Sequence, residues 1–341
     1  MRKKVLCAMS GGVDSSVMTH LLNKEGELEV SGAFMRLSSG KKTIEAEKKV
    51  RSIAKRINIP FYVFDFRKEF EKEIIKYFVE SYKKGVTPNP CVVCNKKMKF
   101  GLFLKEAKKL KMDFVATGHY ASIKSRNNFL EIVRGKDNDK DQSYFLWQLN
   151  QKQLKSILLP LGSYKKEKVK KISKQIKLTP IISKESQDLC FIENSISAFL
   201  KKKLKNRPGK IVNLKGNVLG KHDGLWFYTI GQRKGINLSG GPFYVLKKNL
   251  KKNQLIVTKD EKELFKKELK LEKINWISGK KPILPINIKV QIRYGSQAFN
   301  AILSKKHKYL LSFKSKQKGI SPGQSAVFYE SKKVLGGGII C

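Results

Sequence analysis

The chain is poor in acids. Of its 341 residues, 72 are Lys or Arg and only 28 are Asp or Glu, a formal net charge of +44. That imbalance excludes an acidic surface and makes a polyanion the simplest partner, because Lys and Arg release counterions when they meet phosphates. Part of the excess also fits A/T-rich coding DNA, since Lys, Ile and Asn are all plentiful. Cysteine is scarce as well. Cys7, Cys91, Cys94, Cys190 and Cys341 are too few and too scattered for a disulfide scaffold in a chain of this length. With one CxxC, no second CxxC and four histidines, a zinc site would have half of its ligands. No apolar run approaches the roughly 18 residues of a membrane span. The opening MRKKVLCAMSGG has no signal-peptide pattern. The expectation is a soluble cytoplasmic protein without a membrane partner, globular at 40% hydrophobic residues and long enough for two or three domains.

What is present centres on residues 5–16, VLCAMSGGVDSS. Val5 to Met9 suits a buried strand and Val17 to Leu22 a helix packed on it, with the loop between them carrying the chemistry. Gly11 and Gly12 allow positive φ and close approach of backbone N–H groups to an anion. Ser15 and Ser16 add hydroxyls at the positive end of the helix dipole, so the stretch reads as a phosphate cradle. It is not a Walker loop: the Lys-Ser/Thr pair is missing and Asp14 stands in the loop instead.

Strands expected at Glu29 to Met35, Phe61 to Asp65 and Asp113 to Thr117 alternate with helical patterns at Thr43 to Ile57, Glu69 to Tyr82 and Asn95 to Leu110. Such alternation predicts an α/β fold with an open parallel sheet and a ligand site at the strand carboxyl ends, where SGGVDSS, Met35 and TGHY all fall. From about residue 200 the character changes. After the charge run KKKLKNRPGK, short turn-rich segments (IVNLKGNVLG, GLWFYTIGQRKG, GPFYVL, QLIVT, INIKVQIRYG, FNAILS, YLLSFKS, SAVFYE) read as strands. The expected division is a catalytic domain over 1–199, a small β-rich central domain over 200–265 and a C-terminal β-barrel over 266–341.

Two further stretches carry chemistry. In TPNPCVVCNK the prolines are expected to keep Cys91 and Cys94 on a loop just before a helix, whose N-terminus would favour a Cys94 thiolate. In SQDLCFI, Cys190 follows a polar segment. Cys7 reads as inert core and Cys341 as a chain end. A pair of redox-active thiols suited to persulfide and disulfide chemistry and three ligands of an iron–sulfur cluster with one open position both remain open.

SGGVDSS, FMR, TPNPCxxCNKxxKF, ATGHY, KDQSYFL, DLCFI, PGK, TIGQRKG, RYG, SPGQSAVFY and LGGGII run in order from residue 8 to the end. Together they resemble the bacterial tRNA-specific 2-thiouridylases, members of the PP-loop ATP pyrophosphatase superfamily. The resemblance implies adenylation of the wobble uridine of tRNAs for Lys, Glu and Gln at its C2 oxygen, then replacement of AMP by sulfur. It assigns ATP to Ala8, Met9, Ser10, Gly11, Gly12, Val13, Asp14 and Ser15, with Met35 lining the adenine pocket and Gly118 keeping its loop close to the nucleotide. Magnesium would shield the phosphates. Cys190 would carry a persulfide from a sulfur-relay protein or cysteine desulfurase, with Cys94 as partner thiol and a transient disulfide between them. Asn89, Pro90 and Cys91 would meet the extruded base, and His119, Lys140, Asp141, Gln142, Arg293, Tyr294 and Gln324 would bind tRNA. Three departures stand out. Cys91 takes the place of an Asp that many relatives carry, proposed there as an acid or base, which favours a [4Fe-4S] cluster on Cys91, Cys94 and Cys190. The segment between Met35 and Glu45 is short and lacks the acidic, cysteine-containing stretch of relatives. Gly295 stands where some have a further arginine. The competing readings are a catalytically silent RNA-binding module and a PP-loop ligase of a small molecule.

Overall fold

The computed structural model describes residues 2–177 and 189–341. The chain opens with β1 (Lys3–Ala8), α1 (Val13–Glu25), β2 (Leu28–Arg36), α2 (Lys41–Arg56) and β3 (Phe61–Asp65). Two long helices follow, over 67–83 and 90–109, then β4 (Phe114–Ala116), the hairpin of β5 (Ala121–Arg126) and β6 (Phe129–Arg134), and β7 (Ile157–Leu158). Strands β3, β2, β1, β4 and β7 lie side by side in that order, every pairing parallel, as the alternation of elements anticipated. The side chains of β1 alternate between two cores. Val5 and Cys7 pack with Val17, Met18, Val50 and Ile53 of α1 and α2, while Leu6 and Ala8 face the side that holds Phe70, Ile74, Met98 and Phe103 of the long helices. Burial on both faces is why the first strand reads as an unbroken apolar run. Phe70, Ile74, Phe78 and Tyr82 are all buried on one face of the helix over 67–83, as their spacing anticipated.

β8 (Gly209–Val212), β9 (Val218–His222), β10 (Tyr244–Asn249) and β11 (Gln254–Thr258) form a separate sheet in the order β10-β11-β8-β9 around Ile211, Val245, Leu255 and Val257. The last six strands are β12 (Phe265–Trp276), β13 (Ile286–Gln291), β14 (Phe299–Lys305), β15 (Tyr309–Lys318), β16 (Ser325–Glu330) and β17 (Lys333–Ile340). They run β12-β15-β14-β13-β16-β17, and β17 pairs back onto β12, so this sheet closes as the expected barrel.

Four features depart from the sequence expectation. GLWFYTIGQRKG is not a strand: Leu225–Phe227 is a 3₁₀ turn, and Gly231 and Gly235 take φ of +82° and +77°, which break extension. β12 was hidden by its charges, for between Phe265 and Lys273 only Leu269 and Leu271 are buried, among Lys and Glu. β17 was hidden by its glycines, which the packing requires. A Cβ at Gly336 would lie 2.0 Å from the Asn275 carbonyl oxygen, and one at Gly337 would lie 2.8 Å from the Trp147 ring. Finally, the β5–β6 hairpin leaves the first sheet and joins the barrel edge, pairing Lys333 with Val133 and Val334 with Ile132. No helix among the described residues is long and apolar enough to cross a membrane.

Candidate active site

The loop after β1 is folded by its own hydroxyls. Ser15 Oγ accepts the Ser10 N–H at 3.1 Å and lies 3.2 Å from Ser10 Oγ, while Ser16 Oγ donates to the Gly12 carbonyl at 2.9 Å. Gly11 sits at φ +79°, the left-handed turn that lets the chain enter α1. Gly12 caps α1 without a side-chain hydrogen bond, so the first-turn amides face outward at the positive end of the helix, a fit for phosphate. Gly118, just past β4, closes the other wall: a Cβ there would lie 3.1 Å from the Asp14 carbonyl carbon and from the Ser15 nitrogen. Met35 is half-buried near the end of β2. A cavity of about 1150 Å³ opens beside the ends of β2 and β3, lined by Leu37, Ser38, Asp65, Arg67, Phe70 and Phe191 among others.

Asp14 does not stand free. The Tyr120 hydroxyl donates to its Oδ1 at 2.7 Å, and Lys166 Nζ lies 2.7 Å from both oxygens with its own side chain 9% exposed. Neither partner was expected from sequence. Tyr120 ends the ATGHY motif, whereas Lys166 is one of 72 basic residues in a helix of ordinary Lys/Glu composition, with no local signal.

The thiols sit differently from the expectation. Pro90 does not prevent a helix but starts one at its first position, where a missing N–H costs nothing. Cys91 and Cys94 therefore lie on the first turns of the helix over 90–109 rather than on a loop, and Cys94 is buried. Burial outweighs the helix terminus. It pushes the Cys91 thiol up to about 11 and the Cys94 thiol up to about 12, with the Lys99 ammonium pulling both down. Cys190 is exposed as a residue, yet crowding around its sulfur also raises it, again opposed by Lys99, and its charge is felt at both Cys91 and Cys94. Ser186, Gln187 and Asp188 of its motif lie outside the described residues. Cys7 is inert core as expected, fully buried and pushed up to about 12. All five cysteines are free thiols. Among the described residues no three His, Cys, Asp or Glu side chains converge as ligands of a metal ion, and the cluster reading draws no support from this arrangement.

His119 is buried, with Nδ1 2.7 Å from Thr117 Oγ1 and Nε2 3.4 Å from Lys99 Nζ. Burial, then Lys99, lowers it well below the usual histidine range. It is therefore neutral, and since an ammonium can only donate, Nε2 accepts from Lys99 and Nδ1–H donates to Thr117. Gln324 Nε2 donates to the carbonyls of Thr87 and Pro88 at 3.0 and 3.1 Å, and the Thr87 N–H donates to the Pro322 carbonyl at 2.8 Å. A barrel loop thus grips TPNP. Gly323 makes the approach possible, because a Cβ there would lie 2.8 Å from the Thr87 carbonyl oxygen.

Asp141 is buried and bonds Arg134 Nη1 at 2.8 Å, the Gly135 N–H at 3.0 Å and the Ser143 hydroxyl at 2.9 Å. Arg134 in turn reaches Gln291 and lies 3.8 Å over the Tyr329 ring, tying this segment to the barrel. Gln142 Oε1 accepts the Tyr120 N–H at 3.1 Å, and Lys140 is half-buried beside them. Arg293 and Tyr294 are exposed, and the Tyr294 ring lies 4.4 Å from that of Phe145, close enough to Cys91 to feel its charge. Asn89 hydrogen-bonds Tyr144 in the same wall. The fold thus gathers Asn89, Cys91, Cys94, Cys190, His119, Tyr294 and Gln324 around one region, while Asp141 and Gln142 spend their side chains internally.

Residues 3–194 match a family described as the tRNA methyl transferase HUP domain, 197–259 a tRNA methyl transferase PRC-barrel domain and 266–340 an aminomethyltransferase beta-barrel domain. The chain is 41% identical over 355 residues to the tRNA-specific 2-thiouridylase MnmA of Clostridium perfringens, covering 99% of this chain and 98% of that one. It is 39% identical over 356 residues to the protein of that name from Clostridium kluyveri, covering 100% and 99%. Among solved structures it is similar to the U34-tRNA thiolase NcsA of Methanococcus maripaludis with its [4Fe-4S] cluster. The TM-score is 0.38 at 19% identity, covering 59% of this chain and 67% of that one, a likeness too distant to assign chemistry to this chain.

Proposed function

The chain belongs to the family of tRNA-specific 2-thiouridylases, and on that premise we propose that it makes 2-thiouridine at the wobble position of tRNAs for Lys, Glu and Gln, spending ATP and the sulfur of a Cys190 persulfide. The observation that carries the reading is a shared wall: Gly118 abuts Asp14 and Ser15 of the phosphate loop, while its neighbour His119 binds Lys99 of the thiol-bearing helix. A nucleotide held by the loop would lie beside the cysteines.

The chemistry needs activation because the C2 carbonyl is a poor electrophile with no leaving group. The uridine O2 attacks the α-phosphorus of ATP, pyrophosphate leaves with the P–O electron pair, and N3 gives up its proton. The outer sulfur of the Cys190 persulfide attacks C2, and AMP departs with the C–O pair. The Cys94 thiolate then attacks Cys190 Sγ. The bond from Sγ to the transferred sulfur breaks, that sulfur keeps the pair as the thiocarbonyl, and N3 regains a proton. A Cys94–Cys190 disulfide remains, which an external thiol reductant reopens before a sulfur-relay protein or cysteine desulfurase reloads Cys190.

In this reading the outward amides of α1 and the residues from Ala8 to Ser15 hold the phosphates, and Met35 meets the adenine. Asn89, Pro90 and Cys91 face the extruded base, beside Tyr294. Lys140, Arg293 and the basic surface meet tRNA phosphates, with His119 and Gln324 supporting the base pocket from behind. Magnesium, arriving with ATP, would neutralise phosphate charge. Asp14 is the loop's one carboxylate, held by Lys166, so the metal would rest mainly on the phosphates. A tRNA enzyme of this kind works in the cytoplasm. The test is tRNA thiolation with ATP and a persulfide donor. Cys190→Ser and Cys94→Ser should each abolish 2-thiouridine while ATP binding and tRNA-dependent pyrophosphate release persist, and an active single variant would overturn the scheme.

A further inference from the structure

We propose that Lys99, aimed by a π-helical turn, is the positioning residue that steadies sulfur anions at Cys94 and Cys190 beside the phosphate loop. The inference rests on the thiolation reading and adds a residue to it. The helix over 90–109 is α-helical through Cys94 and then π-helical over Asn95–Leu102. In an α-helix of 3.6 residues per turn the fifth residue along points well away from the first. A ladder bonded from each carbonyl to the fifth residue on brings it back over the same face, and such turns recur at functional sites. Lys99 stands five residues after Cys94, so the wide turn carries its side chain toward the thiols.

Gly101 shows what that turn requires. A Cβ at Gly101 would lie 2.9 Å from the Lys96 carbonyl oxygen, five residues back, a backbone contact that no rotamer relieves. The side chain of Lys99 is also held from the far side. Its Nζ lies 3.4 Å from His119 Nε2, and Thr117 fixes the ring through Nδ1 at 2.7 Å. A neutral His119 leaves the ammonium charge undivided. The groups facing it are Cys91 and Cys94 on its own helix, His119 after β4 and Cys190 on the described segment after residue 188. Glu73, an acid on the helix over 67–83, is paired to Lys97. Among the described residues, Lys99 is the cation whose charge reaches all three thiols, and it opposes the burial that would otherwise keep them protonated. The thiolate is the reactive form, so a fixed ammonium here raises the share of molecules able to attack.

The test is the rate of iodoacetamide alkylation at Cys94 and at Cys190, read by mass spectrometry from pH 6 to 10 on the full chain without ATP or tRNA. Lys99→Met should slow both sites about tenfold near pH 7.5 and move the profile up by about one pH unit. Lys99→Arg should restore most of the rate. Gly101→Ala, which keeps the ammonium but opposes the wide turn, should show a smaller shift in the same direction and keeps the proposal testable if Lys99→Met folds poorly. In the thiolation assay Lys99→Met should lower kcat with KM for ATP and tRNA unchanged. A Lys99→Met profile that superimposes on the parent overturns the proposal, as does a loss confined to tRNA KM with a shallower salt dependence, which would make Lys99 a phosphate contact. The alkylation profile needs no thiolation, so failure of the functional reading would appear separately, as a parent chain that makes no 2-thiouridine.

Discussion

The phosphate loop and the thiol site lie against one wall but are built in opposite ways. The loop is local: apart from those of Asp14, its side-chain hydrogen bonds link residues two to five apart. The thiol site is assembled from afar, with Gln324 of the barrel holding Thr87 across 237 positions and His119 holding Lys99 across 20. A local motif survives almost any change elsewhere, whereas an assembled site inherits the stability of every element that reaches it. Asp14 is the exception inside the loop, since Tyr120 and Lys166 come from 106 and 152 positions away.

That exception offers the largest break. Asp14→Asn should lower ATP-dependent pyrophosphate release by roughly 10²–10³, the scale of losing one preorganised electrostatic group. It should also cost about 1 kcal/mol of stability by replacing the charge-assisted bonds to Lys166 with a neutral one, a figure kept low because the Asp14 side chain is 34% exposed. Single-turnover pyrophosphate release and a urea titration check the two parts. Next is a break delivered from the barrel. Gly323→Ala should push TPNP outward and cut thiolation by about 10²-fold, since small misplacements far from the chemistry can cost that much, while ATP affinity stays at the parent value. Equal loss of ATP affinity would mean that the two regions are not separable in this way. Gln324→Ala is gentler. It removes two hydrogen bonds of about 1 kcal/mol each, so we expect thiolation to fall by about tenfold, again with ATP affinity untouched.

The last effect is a matter of pH and touches neither chemistry. Cys7 is pushed from 9.0 to about 12 by burial, so the folded chain favours the neutral thiol. Its contribution is whole below the unfolded value and is lost as pH rises from 9 toward 12, with a slope of about 1.4 kcal/mol per unit at most. Cys7→Ala should flatten the decline in urea stability between pH 9 and 11 relative to the parent.

Much of the nucleotide side was legible in the sequence because its instructions are contiguous. Two glycines, three serines and a buried strand within residues 5–16 dictate a turn, a helix start and an apolar run, and the parallel pairing of β1 to β4 follows from strands alternating with helices, whereas β7 and the order of the strands were not legible. The thiol side was legible only as residues. TPNPC suggested a loop because proline breaks helices, but proline at the first helical position does not. A thiolate at Cys94 followed from the helix terminus, but burial is the larger influence and is invisible in sequence. KDQS suggested a surface contact, yet Asp141 is sealed beneath Arg134 and Ser143 because the β5–β6 hairpin joins the barrel there.

Sequence alone was enough for the phosphate loop and for the presence of three thiols in two motifs, because each is encoded within a few neighbouring residues, and for the parallel sheet behind the loop, because strands alternate there with helices. Tertiary structure alone decided which cations meet those groups. Lys166 on Asp14 is one of 72 basic residues with no local signal, and Lys99, although it belongs to the TPNPCxxCNKxxKF motif, is not shown by its neighbours in sequence to face the thiols. Charge acts over a few ångströms of space regardless of distance along the chain, so only the fold could select them.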